Sequence, residues 1–242
     1  SKNGFLGYFS TWQKENSLKM EQYNISGIQQ VGIGVQDMQQ AWDWYARHFG
    51  MDLPIFNDEA EASLMKDYTG GKAHKRRAVL AMNLQGGGGF EVWQFTSRTP
   101  SVSPKVEEGD LGITSIHLRA KDINVARNYF DDLEDVKPSE IKIDILNREY
   151  FELDDPFGNR FKIIEDDYQF MKTQSVTGGV LGVSFGVSNM NNALDLFREA
   201  FNYSSVEGRT TVDGIERAYL RLKDQKVSAF SQLLGPTTIE LV

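Results

Sequence analysis

One pattern is written three times along this chain, and it constrains the fold more than any other feature. From Ile28 to Met51 the sequence runs IQQVGIGVQDM and then QQAWDWYARHFGM. Val31, Ile33 and Val35 recur at every second residue and share one face of a strand, with Gln30, Gly32 and Gly34 on the other. Asp37 is placed to cap a following helix, because its carboxylate can accept the free amides of the first turn. Met38, Ala41, Tyr45 and Phe49 then fall along one side of that helix. A strand thus leads directly into a helix that packs back on the strand's apolar face.

The second copy, ITSIHLRAKDINVARNYFDDL, has Asp122, Ala126 and Phe130 where the first has Asp37, Ala41 and Tyr45. The third, VLGVSFGVSNMNNALDLFREAFNY, has Asn189, Ala193 and Phe197 there. Each is followed by strand-like segments and closes on a similar strand: FEVWQF from Phe90, FKIIED from Phe161 and TIELV from Thr238. The repeating unit is a strand, a helix and about three strands, so the fold class is α+β and not a solenoid. Its boundaries give an N-terminal extension over 1–24, a first module over 25–100 and a linker over 101–110. A second module over 111–165, a linker over 166–179 and a third module over 180–242 follow.

Composition narrows the function classes. A net charge of -8, with no aromatic residues set among basic ones, argues against a nucleic-acid partner. The chain has no cysteine, which excludes disulfides, thiolate metal sites and cysteine nucleophiles. No apolar run approaches the roughly 18 residues of a membrane span. The expectation is a cytoplasmic protein, and a secreted or periplasmic one is also compatible with this composition.

Several stretches carry their own readings. Phe5, Leu6, Tyr8, Phe9 and Trp12 make the extension too apolar for a floating tail, and it is expected to lie on the first module or a partner subunit. Asp58 to Tyr68 has room for an irregular insert before a strand over Arg77 to Leu84. Lys72, His74, Lys75, Arg76 and Arg77 read as a solvated loop, or as an anion-binding lid. Gly86 to Gly89 lacks the helix and the Lys-Ser/Thr pair of a phosphate loop and reads as a hairpin turn needing positive φ. Asp155, Pro156, Phe157, Gly158 and Asn159 form a turn between two strands.

The three strand-into-helix repeats, DPFGNRFKIIE at 155–165 and the FEVWQ and TIELV endings resemble the vicinal oxygen chelate superfamily. That superfamily includes glyoxalases, bleomycin-resistance proteins and extradiol dioxygenases, and the resemblance covers about nine tenths of the chain. It implies tandem βαβββ modules that pair into a cupped half-barrel sheet. A ligand sits in the cup, and a divalent metal is held by the first and last strands. Modules one and two are the expected pair.

Carried over residue by residue, the resemblance implies Gln30 and Glu91 as metal ligands from module one, with Zn, Ni, Mn or Fe as the ion. Module two departs from it, with Ser115 and Lys162 at its two ligand positions, and module three offers Gly182 and Glu240. A metal-free site is therefore the other expectation. Strand alternation adds His117 and Arg119 beside Ser115, and Trp93 and Phe95 beside Glu91. The expected pocket then has Glu91 and His117 as catalytic candidates, and Gln30, Trp93, Phe95, Ser115, Arg119 and Lys162 as substrate-binding ones. An unpaired buried charge is costly, so a Glu91–Lys162 ion pair is expected in place of the missing cation.

Two function classes follow. One is a glyoxalase-like lyase or isomerase, or a dioxygenase, acting on a small and conceivably anionic molecule. The other is a metal-free binding or sequestering protein, with cups simply filled by side chains as a third reading. Dioxygenase chemistry needs two histidines and a carboxylate. With only His48, His74 and His117 here, it would have to sit in a fourth module. An odd number of modules leaves one without a mate, and the expectation is that module three pairs with a missing fourth module or with its copy in a homodimer.

Overall fold

A computed structural model describes residues 25–99, 105–212, 214–222 and 228–242. The expected packing of the N-terminal extension lies outside these residues. The first repeat forms β1 (Gln30–Gly34), α1 (Met38–Phe49), β2 (Leu53–Glu61), β3 (Lys75–Met82) and β4 (Gly89–Phe95), with a 3-10 turn at Ser63–Tyr68. The second forms β5 (Gly112–Ala120), α2 (Ile123–Asp131), β6 (Lys142–Ile143), β7 (Glu149–Asp154) and β8 (Arg160–Glu165). The third forms β9 (Val180–Gly186), α3 (Met190–Phe201), β10 (Ser205–Val212), β11 (Ile215–Arg221), α4 (Ala229–Leu234) and β12 (Thr238–Leu241). The insert expected at Asp58–Tyr68 is half strand, because β2 runs to Glu61 against β3.

The caps read from sequence carry the helices. Asp37 accepts from the amide of Gln40, Asp122 from those of Asn124 and Val125, and Asn189 from that of Asn192. Each bond satisfies a first-turn amide that the helix itself cannot.

The pairing of modules differs from expectation. β1, β4, β3 and β2 form a sheet of their own, while modules two and three share an eight-stranded sheet ordered β10-β11-β12-β9-β5-β8-β7-β6. The joint is the antiparallel pair β5–β9, with Ser115 opposite Ser184 and His117 opposite Gly182. Module one instead packs its helical side on module two. Phe49 stacks near Phe130 and Phe161, ring centroids 5.6 and 4.7 Å away, within one continuous apolar core. Tyr45 donates to Asp155 of the turn before β8 at 2.5 Å.

The glycine run does form the β3–β4 turn, and Gly86 and Gly87 take positive φ of 116° and 124°. It also meets the start of β9: a Cβ on Gly87 would lie 2.4 Å from the carbonyl carbon of Gly179. Only glycine allows two backbones that close.

Candidate functional site

The cup of the eight-stranded sheet is occupied by its own side chains. Alternation turns Lys162 of β8, His117 of β5, Ser184 of β9, Glu240 of β12 and Tyr219 of β11 to one face, and all five are buried. Glu240 organises them. Its Oε2 accepts from Lys162 Nζ at 2.8 Å and from Ser184 Oγ at 2.6 Å, and lies 3.4 Å from His117 Nε2. Its Oε1 accepts from the Tyr219 hydroxyl at 2.6 Å and from Arg217 Nη1 at 3.2 Å. Both carboxylate oxygens are thus saturated.

Electrostatics follow from this crowding. Burial by itself would push Glu240 up, but Lys162 and the hydrogen bonds around it hold the carboxyl well below its usual range. Burial pushes His117 down, outweighing the pull of Glu240. Burial, then Glu240, push the Tyr219 phenol up.

The rims of this cup also meet. Asp144 to Arg148, the turn between β6 and β7, reaches the opposite edge strand, where a Cβ on Gly208 would fall 2.6 Å from Ile145 Cδ1. The Arg148 guanidinium lies 5.9 Å from the Tyr219 ring centroid and binds Asp144 from its Nε at 2.9 Å. Module two and module three have closed on each other.

A divalent ion does not fit here. The ammonium of Lys162 takes the place beside Glu240 that a cation would need, and Ser115, at the other ligand position, is a buried hydroxyl. Among the described residues no three His, Asp or Glu side chains are grouped to hold a metal.

Module one presents the opposite case. Gln30 and Glu91 do project to the same side of their sheet, and Gln30 Nε2 donates to Glu91 Oε2 at 2.6 Å. Both are only half-buried, and the expected pairing of Glu91 with Lys162 is absent because the two belong to different sheets. Trp93 and Phe95 stand beside Glu91 with ring centroids 5.1 Å apart. The indole lies on the backbone of β1, where a Cβ on Gly34 would come within 3.2 Å of it. Leu80, the neighbour of Glu91 on β3, packs with Phe56 and with Leu233 and Leu234 of α4, so module three walls one side of this face. Beside β1 a cleft of about 150 Å³ runs past Thr114, Asp154 and Arg160.

The remaining sequence candidates have structural employment. Arg119 is buried, binds Asp166 at 2.5 Å and the carbonyls of Leu234 and Pro236, and so anchors the chain after β8 and after α4. Arg76 and Arg77 of the basic run lie in β3, bound to Asp58 and Gln39. His48 faces the Tyr129 hydroxyl at 2.9 Å. Sequence reasoning placed His117 and Lys162 in the pocket and named Glu240 only as the ligand position of module three, outside that pocket, and it left out Ser184, Arg217 and Tyr219. The signal for Glu240 was present: it aligns with Glu91 at the end of a repeat.

No family model and no curated protein matches this chain. Solved structures do. The chain superposes on a V278E mutant of glyoxalase I from Zea mays with a TM-score of 0.57 and 11% identity, covering 94% of this chain and 70% of that one. It superposes on a putative dioxygenase from Bacillus subtilis with a TM-score of 0.54 and 17% identity, covering 90% of this chain and 64% of the other. Likeness at these identities establishes the fold, and the chain spans about two thirds of the length of these neighbours.

Proposed function

We propose that this chain, which has the fold of the vicinal oxygen chelate superfamily, binds a small molecule on the open face of module one and keeps the cup of modules two and three as a structural partner. The observation that carries this is the contrast between two equivalent glutamates. Glu240 is buried with every oxygen lone pair committed, whereas Glu91 is half-exposed and bonded to Gln30. A carboxylate held in place by one amide beside two aromatic rings can read the polar end of a ligand while the rings cover its body.

A divalent ion fits this face in part. Gln30 and Glu91 are oxygen donors on adjacent strands, two of the four or more that such an ion requires. Bound there, the ion would supply a Lewis acid for vicinal oxygens. Glu91 would orient the ligand and is positioned to accept a proton from it, and Gln30 would hold Glu91 in the active rotamer. Lyase or isomerase chemistry would then belong to module one, and the filled cup of modules two and three takes no part in it.

Calorimetric titration with Ni²⁺ tests the reading. Weak binding that Glu91→Gln abolishes and Glu240→Gln leaves in place is expected. Absence of binding in the folded wild type, or binding that survives Glu91→Gln, would overturn it.

A further inference from the structure

The three repeats end in equivalent strands, and one matching position there holds Glu91, Lys162 and Glu240. Two of these satisfy each other, since Lys162 and Glu240 form an ion pair at 2.8 Å. Other carboxylates drawn into the fold are matched in the same way. Asp144 pairs with Arg148, Glu152 with Lys142, Asp154 with Arg160, Asp166 with Arg119 and Glu216 with Arg209. Glu91 is half-buried, yet among the described residues no Lys, Arg or His forms an ion pair with it. Its bond from the Gln30 amide brings no charge.

The space beside this carboxylate is open. Gly32 lies opposite Glu91 on β1 and Gly34 opposite Trp93, and both glycines are exposed. Apart from the chain on either side, a Cβ built on Gly32 would meet only Trp93 Nε1 within 4 Å, at 3.9 Å. Glu91 and Trp93 stand two residues apart on one face of β4, about 7 Å along the strand. Phe95 follows, its ring at 83° to the indole, so the two rings form a corner. The gap over Gly32 thus has an uncompensated negative charge at one end and aromatic walls at the other.

These walls discriminate between kinds of ligand. A divalent ion can use the carboxylate and the Gln30 amide oxygen, but indole and phenyl rings offer it no ligand atom. An anion is repelled by Glu91, and the two arginines nearest the rings are committed. Arg76, beside Phe95 on β3, binds Asp58 at 3.2 Å, and Arg98 lies over Phe95, 4.9 Å from its centroid. That second contact is itself a cation held by a ring of this corner. An organic ammonium uses every wall, because the carboxylate attracts its charge and its alkyl groups lie against the negative faces of the rings.

We propose that the small molecule received by module one is an organic ammonium, its cationic head seated over Gly32 between the Glu91 carboxylate and the Trp93 and Phe95 rings. The inference deepens the function proposed above and rests on it for the location of the site.

Three probes of one shape and different charge test this: choline, its neutral carbon isostere 3,3-dimethylbutan-1-ol, and the anion 3,3-dimethylbutanoate. Each is titrated into the whole chain and followed by ligand-observed NMR. Choline is expected to bind about tenfold more tightly than the alcohol, and the anion not at all. Glu91→Gln and Trp93→Leu should each weaken choline by about tenfold. Gly32→Val keeps both groups, fills the gap and should abolish choline binding. Melting temperatures establish that the three variants are folded. Choline no tighter than the alcohol, binding of the anion, no binding of choline to the wild type, or choline affinity unchanged in any one folded variant would overturn the inference. Ni²⁺ titration is read separately. If Ni²⁺ still binds through Glu91, the site stands and only its preference for an organic cation falls; if Ni²⁺ and all three probes fail, the site itself falls.

Discussion

Lys162 Nζ lies 2.8 Å from Glu240 Oε2 at the bottom of the cup, with one side chain 6% exposed and the other fully buried. The pair joins module two to module three across the shared first strands. Its place is that of a cation, with an ammonium on a four-carbon stem supplying the positive charge. A charge removed from water this completely is tolerated because it is matched, not because the match adds much stability.

Breaking the pair from one side should therefore cost far more than removing it whole. Lys162→Met leaves Glu240 with only Arg217 as cationic neighbour and is expected to destabilise the fold by about 3 kcal/mol. Lys162→Met with Glu240→Met should recover most of that loss, and urea unfolding of the two variants and the wild type checks it. Equal losses in single and double variants would contradict this account.

Stability should also fall with acid, in two steps of separate origin. The folded Glu240 carboxyl is held below its usual 4.5, so its contribution is complete above that pH and is lost as pH falls through the folded value. His117 is pushed below 6.5, so the unfolded chain gains its proton first and the fold loses stability as pH drops beneath 6.5. Asp155, pushed up by burial, acts in the opposite sense. Comparing wild type with His117→Gln isolates one group: the loss of urea midpoint between pH 7.5 and about pH 5.5 should be smaller in the variant.

How much of this was legible follows from what each feature depends on. The repeats, the caps at Asp37, Asp122 and Asn189, and the projection of Gln30 and Glu91 to one side depend on neighbours in sequence or on strand period, and all were readable. That a buried Lys162 would be paired with a carboxylate was readable too, since a cation removed from water needs an anion. Its partner was not. Whether that anion is Glu91 or Glu240 depends on which first strands pair, and β1, β5 and β9 carry the same alternating pattern. The choice is made by contacts far apart in sequence, such as Phe49 on Phe161 and Gly87 on Gly179, which turn module one's back to module two.

That back-to-back packing has a polar clasp of its own. Tyr45 is buried on α1 and donates to Asp155, which also receives the Asn159 side chain and the amides of Phe157 and Asn159. Tyr45→Phe keeps the ring contacts and removes one donor, so a loss of about 1–2 kcal/mol in urea unfolding is expected. The cost should vanish when Asp155→Asn is already present, because the amide no longer calls for a charge-assisted bond. A full-sized loss in that background would assign the role of Tyr45 to packing alone.

The last expectation turns the cup back toward metal. In Lys162→Glu a carboxylate would enter beside Glu240, with His117 Nε2 already 3.4 Å from Glu240 Oε2. Two buried carboxylates with only Arg217 to share between them repel, so the variant should be strongly destabilised at neutral pH. The same three groups are the types that bind Zn²⁺ or Ni²⁺, and binding to the folded form alone stabilises by about 2.7 kcal/mol at a hundredfold excess over Kd. Added Ni²⁺ should therefore raise the melting temperature of Lys162→Glu by several degrees. In the wild type the ammonium excludes the ion from this position, and Glu91→Gln removes binding on module one, so Glu91→Gln should show no rise. Both effects read together locate the ion in the cup: a rise in Lys162→Glu that persists with Glu91→Gln added belongs to Glu240, and one that disappears belongs to module one.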